Sequence, residues 1–397
     1  MTAPRFAARM NRMAASATAA VFKRVAELRA SGVDVISLGL GEPDFDPPAH
    51  VLTAAKAAID GGASRYTEVA GLRALREAIC ADSLRRRGVE HAPDEVVVSA
   101  GVKHVLFNLA QALFDHGDEV VIPVPAWGSY AEQVRLCGAT PILLPCAEQD
   151  GFLLRPEALA RALGPRTKAV VLCTPSNPTG AAYRPDQLTA IAEVLREHDT
   201  LAIVDEIYSE LVYDGRALRS LLSLAPDLRE RIVVVDGVSK RFAMTGYRVG
   251  WMLASRALAR ACEALQSQAT TSISAISQHA AIAALDGGEQ HAATMRARLQ
   301  ARRDRLVAGL SAIPGLRVPV PQGAFYLFVS VHGLLGRGGL ANDVDVAAQW
   351  LEHARVAVVP GTDFHAPGYV RLSYATSEEL LDRAVERIAD AVARLPA

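Results

Sequence analysis

Residues 169–206 read AVVLCTPSNPTGAAYRPDQLTAIAEVLREHDTLAIVDE, and their pattern decides the fold. An apolar run, Ala169-Val170-Val171-Leu172, ends in a proline- and glycine-rich turn. A longer segment of helical character follows, and a second apolar run, Leu201-Ala202-Ile203-Val204, ends at Asp205-Glu206. Continuous rather than alternating apolarity marks strands covered on both faces, as in a mostly parallel sheet with helices on either side. The same unit recurs outward in both directions. Val96-Val97-Val98 and Val120-Val121-Ile122 precede it; Ile232-Val233-Val234-Val235 and Val249-Gly250-Trp251-Met252-Leu253 follow. The expected core, from about residue 95 to 255, is a doubly wound α/β sheet.

Beyond Leu253 the character changes. An arginine-rich helical stretch runs through Arg296, Arg298, Arg302, Arg303 and Arg305. After it Leu316-Arg317-Val318, Phe325-Tyr326-Leu327-Phe328-Val329, Val356-Ala357-Val358-Val359 and Tyr369-Val370-Arg371-Leu372 read as short strands, with helices around 343–354 and 377–394. That predicts a smaller α+β domain. The glycine-rich loop from Gly333 to Gly339 has no phosphate-binding pattern and is assigned no chemistry.

A chain of 397 residues, 50% apolar, has the length for two domains. Its 42 basic and 43 acidic residues are interspersed, which gives no broad footprint for nucleic acid or a membrane and points to small-molecule partners. The five cysteines form no CxxC pair and no histidines stand at ligand spacing, so no metal is expected and a reduced, cytoplasmic setting fits. No apolar stretch approaches the roughly 20 residues that span a bilayer. The N-terminal basic residues Arg5, Arg9, Arg12, Lys23 and Arg24 lead into the helical spacing of Val21, Val25 and Leu28, and read as an arm feeding a helix.

In an open α/β sheet, ligands bind at the carboxyl ends of the strands. After the first run comes Ser99-Ala100-Gly101-Val102-Lys103, entering a helix whose first N–H groups suit a phosphate. The second is followed by Ala126-Trp127, the third by Thr174-Pro175-Ser176-Asn177-Pro178-Thr179-Gly180, the fourth by Asp205-Glu206-Ile207-Tyr208, and the fifth by Ser239-Lys240 with Thr245-Gly246-Tyr247-Arg248 behind it. Singly, each has an ordinary explanation as core, turn, cap or surface. Together they put an aromatic plate, an amide, a carboxylate, a phenol, a lysine and an arginine on one sheet edge, and that combination predicts a site.

Through S-N-P-T-G at 176–180, D-E-I-Y at 205–208 and S-K-R-F-A-M-T-G-Y-R at 239–248, the chain resembles the class I aminotransferases of fold type I. The likeness extends through Leu38–Phe45, Arg65-Tyr66, Gly323–Tyr326, Val359–Thr362 and Val370–Ala375. It is greatest to bacterial aspartate aminotransferases of the subgroup related to prephenate aminotransferases. The resemblance implies an N-terminal arm and part of the small domain at 1–47, a large pyridoxal-phosphate-binding domain at 48–290 and a small C-terminal domain at 291–397.

It also implies roles. Lys240 would hold pyridoxal 5'-phosphate as a Schiff base and, once displaced, move the substrate proton in a ping-pong transfer. Asp205 would keep the ring nitrogen protonated; Asn177 and Tyr208 would bond the phenolic oxygen, and Trp127 would stack on the ring. The phosphate would be held by Arg248, the N–H groups of Gly101, Val102 and Lys103, and Tyr66 from a neighbouring subunit, which makes a homodimer the active unit, and Ser239 would also bind the cofactor. Val102 stands where related chains usually carry glycine. Arg371 would clamp the substrate α-carboxylate, with Gly41 adding its N–H; closure of the small domain and arm would exclude water.

For a distal carboxylate the family position is Lys103, with Arg12 in the arm as another cation. The expected donor is aspartate or glutamate, and prephenate, aromatic or neutral substrates remain alternatives. So does a fold-type-I lyase or synthase, which would need no 2-oxo acid acceptor. A regulatory protein with an aminotransferase-like domain would carry an added DNA-binding domain, for which there is no expected room before Leu38. A nicotinamide dehydrogenase would show GxGxxG after an early strand, and none is present.

Overall fold

The computed structural model describes residues 5–13, 17–216 and 219–396. Among them the strands are β1 (Ile36–Ser37), β2 (Val96–Ser99), β3 (Glu119–Val124), β4 (Thr140–Pro145), β5 (Thr167–Cys173), β6 (Leu201–Asp205), β7 (Ile232–Gly237), β8 (Gly250–Leu253), β9 (Tyr326–Ser330), β10 (Val356–Ala357), β11 (Val359–Pro360) and β12 (Tyr369–Ser373). Seven of them form the central sheet, in the order β2-β8-β7-β6-β5-β3-β4. All neighbours are parallel except at β8, which runs antiparallel to both β2 and β7 and sets Gly250 opposite Gly237.

All six expected core runs are strands of this sheet. Two features differ from expectation. The apolar run at β8 carries no signal of direction, and its reversal is a property of the pairing. β4 was not expected as a strand; it lies at the sheet edge, is only partly buried and contains Pro141 and Pro145, which an edge strand tolerates because one row of its backbone groups needs no partner.

Side-chain alternation divides the sheet into two faces. Leu172, Val204 and Val234 pack with Val51, Leu75, Ile79, Ile191, Leu195 and Ala284 from helices Ala49–Asp60, Arg73–Arg87, Pro185–Arg196 and Ala275–Gly287. Val171, Ile203 and Val235 point the other way, against Val105, Leu109, Tyr130, Val134 and Cys262 from helices Val102–Leu113, Ser129–Cys137 and Arg256–Ala269. The Arg73–Arg87 helix illustrates how sequence sets an element: Leu75 and Ile79 form its buried stripe, and Gly88 ends it in the left-handed conformation at φ 67°, its N–H donating to Leu84 O.

The remaining strands belong to a second core. β9, β12 and β11 form an antiparallel sheet, while β1 pairs with β10 and so brings residues 36–37 to this unit. Leu299, Leu306 and Leu310 of the long Glu289–Ser311 helix, and Leu381 and Ile388 of Glu378–Ala393, pack on Leu327, Val329 and Val370. The expected strand at 316–318 is reduced to one bridge, Arg317 to Ser330. The run 356–359 is split at Val358 because its first half pairs with β1 and its second with β12. The expected helices begin at Asp343, capped by Asn342, and at Glu378, capped by Ser377. No helix among the described residues is long and apolar enough to cross a membrane.

Candidate functional site

A cavity of about 400 Å³ opens at the carboxyl ends of β3, β5, β6 and β7 and is closed from the other side by β12 and the segment 39–41. Asp205, the last residue of β6, faces into it. Only 2% exposed, its carboxylate accepts from Tyr130 Oη at 2.7 Å and from Ile207 N at 3.1 Å. Burial is the dominant influence and pushes the carboxyl up to about 6, against those two bonds. Lys240 lies on the short helical turn Val238–Arg241 that follows β7, and its Nζ donates to Gly41 O at 2.6 Å. Burial brings its ammonium down to about 8. An acid and an amine at adjacent strand ends are thus both shifted toward neutrality.

Arg371 enters from β12. Its Nη1 donates to Asn177 Oδ1 at 2.9 Å and its Nη2 to Gly39 O at 2.7 Å, while its buried Nε has no partner. The guanidinium lies 4.6 Å from the ring centre of Tyr326 and 4.9 Å from that of Phe364. This aromatic sleeve excludes water and lowers the guanidinium pKa through burial. Tyr326 Oη also bonds Tyr208 Oη at 2.8 Å. A Cβ on Gly41 would stand 2.7 Å from that same Tyr326 oxygen, so a side chain at position 41 would crowd the Tyr326 hydroxyl.

The third corner is built for an anion. Gly101, at φ 82°, leads into the Val102–Leu113 helix, whose first N–H groups have no carbonyl of their own helix to meet. A Cβ there would lie 2.7 Å from Arg248 Nη2, and one on Gly250 would lie 2.5 Å from Val102 N. Arg248, itself left-handed at φ 57°, is held at this helix start by bonds to Thr245 O at 3.0 Å and Ala100 O at 3.3 Å. Val102 lines the cavity and is half-buried. Lys103 Nζ stands 4.8 Å above the Trp127 ring, its pKa lowered by burial and then by Arg248. Trp127 meets Tyr130 edge-on at 5.4 Å.

Of the residues singled out in the sequence, Lys240, Asp205, Tyr208, Asn177, Trp127, Ser239, Arg248, Arg371, Gly41, Val102 and Lys103 all line this cavity, with Gly101 at its edge behind Arg248. Tyr66 does not; it is 88% exposed. Nor does Arg12, whose guanidinium lies beside Gly138. Sequence reasoning gave no role to Tyr130, Tyr326, Cys173 or Phe364, which also line the cavity. Tyr130 could have been found one helical turn beyond Trp127, and Tyr326 stands inside the matched segment 323–326. Phe364 had no signal.

These features fit a flat, phosphate-bearing aldehyde. Asp205 is a buried carboxylate aimed into the cavity, Lys240 an amine of lowered basicity, Arg371 has an unsatisfied donor, and the Gly101 cradle would be filled by any side chain. A wider depression of about 660 Å³ between residues 29–44 and 373–380 has no comparable set.

Comparison with known proteins points the same way. The family model described as "Aminotransferase class I and II" matches residues 33–388. The aspartate aminotransferase of Geobacillus stearothermophilus is 43% identical over 384 residues, which are 97% of this chain and 98% of that one. A crystal structure of the Rhizobium meliloti aspartate aminotransferase superposes with a TM-score of 0.96 at 42% identity, covering 99% of this chain and 100% of the other. The Thermus thermophilus aspartate aminotransferase with maleate superposes with a TM-score of 0.93 at 42% identity, covering 98% and 100%.

Proposed function

This chain belongs to the class I and II aminotransferases, and on that premise we propose that it moves the α-amino group of aspartate or glutamate to a 2-oxo acid such as 2-oxoglutarate, with pyridoxal phosphate bound covalently to Lys240. The observation that carries the reading is the pairing of Lys240 and Asp205 in one buried cavity, the amine near pKa 8 and the carboxyl near 6. When bound, pyridoxal phosphate supplies an aldehyde and an electron-withdrawing ring. The other tasks fall to the chain's own groups.

Asp205 has the burial and orientation to hold a protonated ring nitrogen; a cation beside it removes the penalty of a charge buried without one. Asn177 and Tyr208 would bond the phenolic oxygen, and Trp127 would give the ring a flat neighbour. Arg248, Ser239 and the N–H groups of Gly101, Val102 and Lys103 would hold the phosphate. Lys240 Nζ, with pKa near 8, takes a proton and returns it at neutral pH, because its two forms differ little in free energy there. Arg371 now donates to two neutral acceptors, Asn177 Oδ1 and Gly39 O, and the substrate α-carboxylate would give the same planar fork an oppositely charged, bidentate partner.

Lys103, raised over Trp127 at the mouth, is the cation for a distal carboxylate; the maleate bound by the Thermus thermophilus relative is a dicarboxylate of comparable length. The same reading includes a cytoplasmic homodimer in which Tyr66 of one copy completes the phosphate site of the other, and the domain division at residues 47/48 and 290/291. It is tested by mixing the yellow holoenzyme with single amino acids and following loss of its visible band. Aspartate and glutamate should convert it at least about tenfold faster than alanine or lysine, Lys103→Met should abolish that preference, and Lys240→Ala should not turn over. Fastest conversion with alanine would reject the dicarboxylate assignment.

A further inference from the structure

Behind the sheet, on the face away from the cavity, lies a buried charged cluster that the proposed chemistry does not use. Alternation explains its place: Ile203 and Asp205 belong to the cavity side, whereas Val204 and Val234 pack against the Arg73–Arg87 helix, and Glu206 and Asp236, two residues on, emerge toward that helix. Arg87 Nε donates to Glu206 Oε2 at 2.7 Å and its Nη2 to Asp236 Oδ2 at 2.6 Å. From the same helix, Asp82 Oδ1 accepts from Arg241 Nη1 at 2.8 Å. Glu206 is 1% exposed, Asp236 2%, Asp82 1% and Arg87 6%. Buried ion clusters are about neutral for stability when compared with apolar packing, so stability alone gives no reason for one here.

Its connections do. Glu206 is bonded through the peptide to Asp205, and Arg241 to Lys240. Building on the function proposed above, we propose that this cluster is a positioning device for the two reacting groups: Arg87 fixes Asp205 through Glu206, and Asp82 fixes Lys240 through Arg241. The Arg73–Arg87 helix thereby acts on the site without touching substrate or cofactor. The groups that act on Asp205 are the hydroxyls of Tyr130 and Tyr208, the Cys173 thiol and the Lys240 ammonium, with Glu206 and Asp236 behind it, both of which push its carboxyl up. Arg87 bonds both of those carboxylates; Arg86 Nη1 also donates to Asp236 Oδ2 and to Asp82 Oδ2, each at 3.0 Å, and Arg85 Nη2 donates to Asp82 Oδ1 at 2.7 Å, so Arg87 is the arginine that bonds Glu206.

Charge removal on either side of the Arg87–Glu206 pair therefore acts with opposite sign. Glu206→Gln leaves the site more positive, and the pH midpoint of the holoenzyme's visible band should fall by about half a unit or more; Arg87→Gln should raise it by a similar amount. In both, kcat for aspartate should drop about tenfold or more while KM stays within about threefold, since Arg371 is untouched. Arg87→Lys, which keeps the charge, should restore the midpoint. Should Glu206→Gln fail to fold, Asp82→Asn should give the same downward shift through Arg241. Midpoints that move in one direction for both charge types, or do not move while the unmodified chain keeps its band, would overturn the proposal. Absence of any visible band from the unmodified chain with pyridoxal phosphate would instead overturn the function on which it rests. Quenching of tryptophan fluorescence by added pyridoxal phosphate gives a readout independent of turnover, and its Kd should weaken in Glu206→Gln.

Discussion

Replacing Gly101 by alanine tests the anion corner by itself. The change acts twice. At φ 82° and ψ 165° the backbone is in a region open to glycine and strained for other residues, at about 1–3 kcal/mol. The added methyl would also lie 2.7 Å from Arg248 Nη2 and 3.0 Å from its Cζ, so the guanidinium must withdraw from the helix start. The strain affects the fold, while the withdrawal affects ligand binding. Loss of the guanidinium's charge-assisted bonds corresponds to about 1.5–3 kcal/mol, or roughly ten- to a hundredfold weaker binding of pyridoxal phosphate. Urea unfolding of the cofactor-free chain measures the first effect, and titration with pyridoxal phosphate measures the second. Gly246→Ala is the control, because a Cβ there meets nothing within 4 Å and its φ is not left-handed. A Gly101→Ala chain that binds within twofold of the unmodified one would refute the assignment of this corner to phosphate.

Two further outcomes follow from the buried cations. Lys240 has its pKa depressed by burial from 10.5 to about 8, so between those values the unfolded chain binds a proton that the folded one does not. Stability of the cofactor-free chain, measured against Lys240→Met by urea unfolding, should accordingly rise across that window by roughly 3 kcal/mol, with the full deficit present below it. Arg371→Lys keeps the charge but loses the planar fork between the Tyr326 and Phe364 rings, and steady-state kinetics should give a kcat/KM about ten- to a hundredfold lower. An unchanged value would remove Arg371 from carboxylate recognition.

The sheet was legible because strands buried on both faces leave runs such as Ile232–Val235 that few other elements produce. The edge strand at 140–145 lacks that signature, since it is only partly buried and begins and ends beside prolines. The site was legible at strand ends, where Asp205 stops an apolar run with a charge and Lys240 lies in the turn that follows the next one. What escaped notice came from distant parts of the chain. Phe364 reaches Arg371 from the short 3-10 turn Gly361–Phe364, and the Arg87–Glu206 pair joins residues 119 positions apart, a relation that local periodicity does not encode. The arginines at 85–87 close the Arg73–Arg87 helix, and two of them are largely buried.

The reversed strand β8 has a consequence for how the site tolerates change. Because Gly250 is paired back onto Gly237, the segment between them is closed at its base, and it carries both Lys240 and Arg248. In the function proposed above, the number of links between the amine meant for the aldehyde and the fork meant for the phosphate would set the spacing of the two groups. Inserting or deleting a residue inside it would alter that measure, whereas the same edit in an open loop elsewhere would be absorbed by slack.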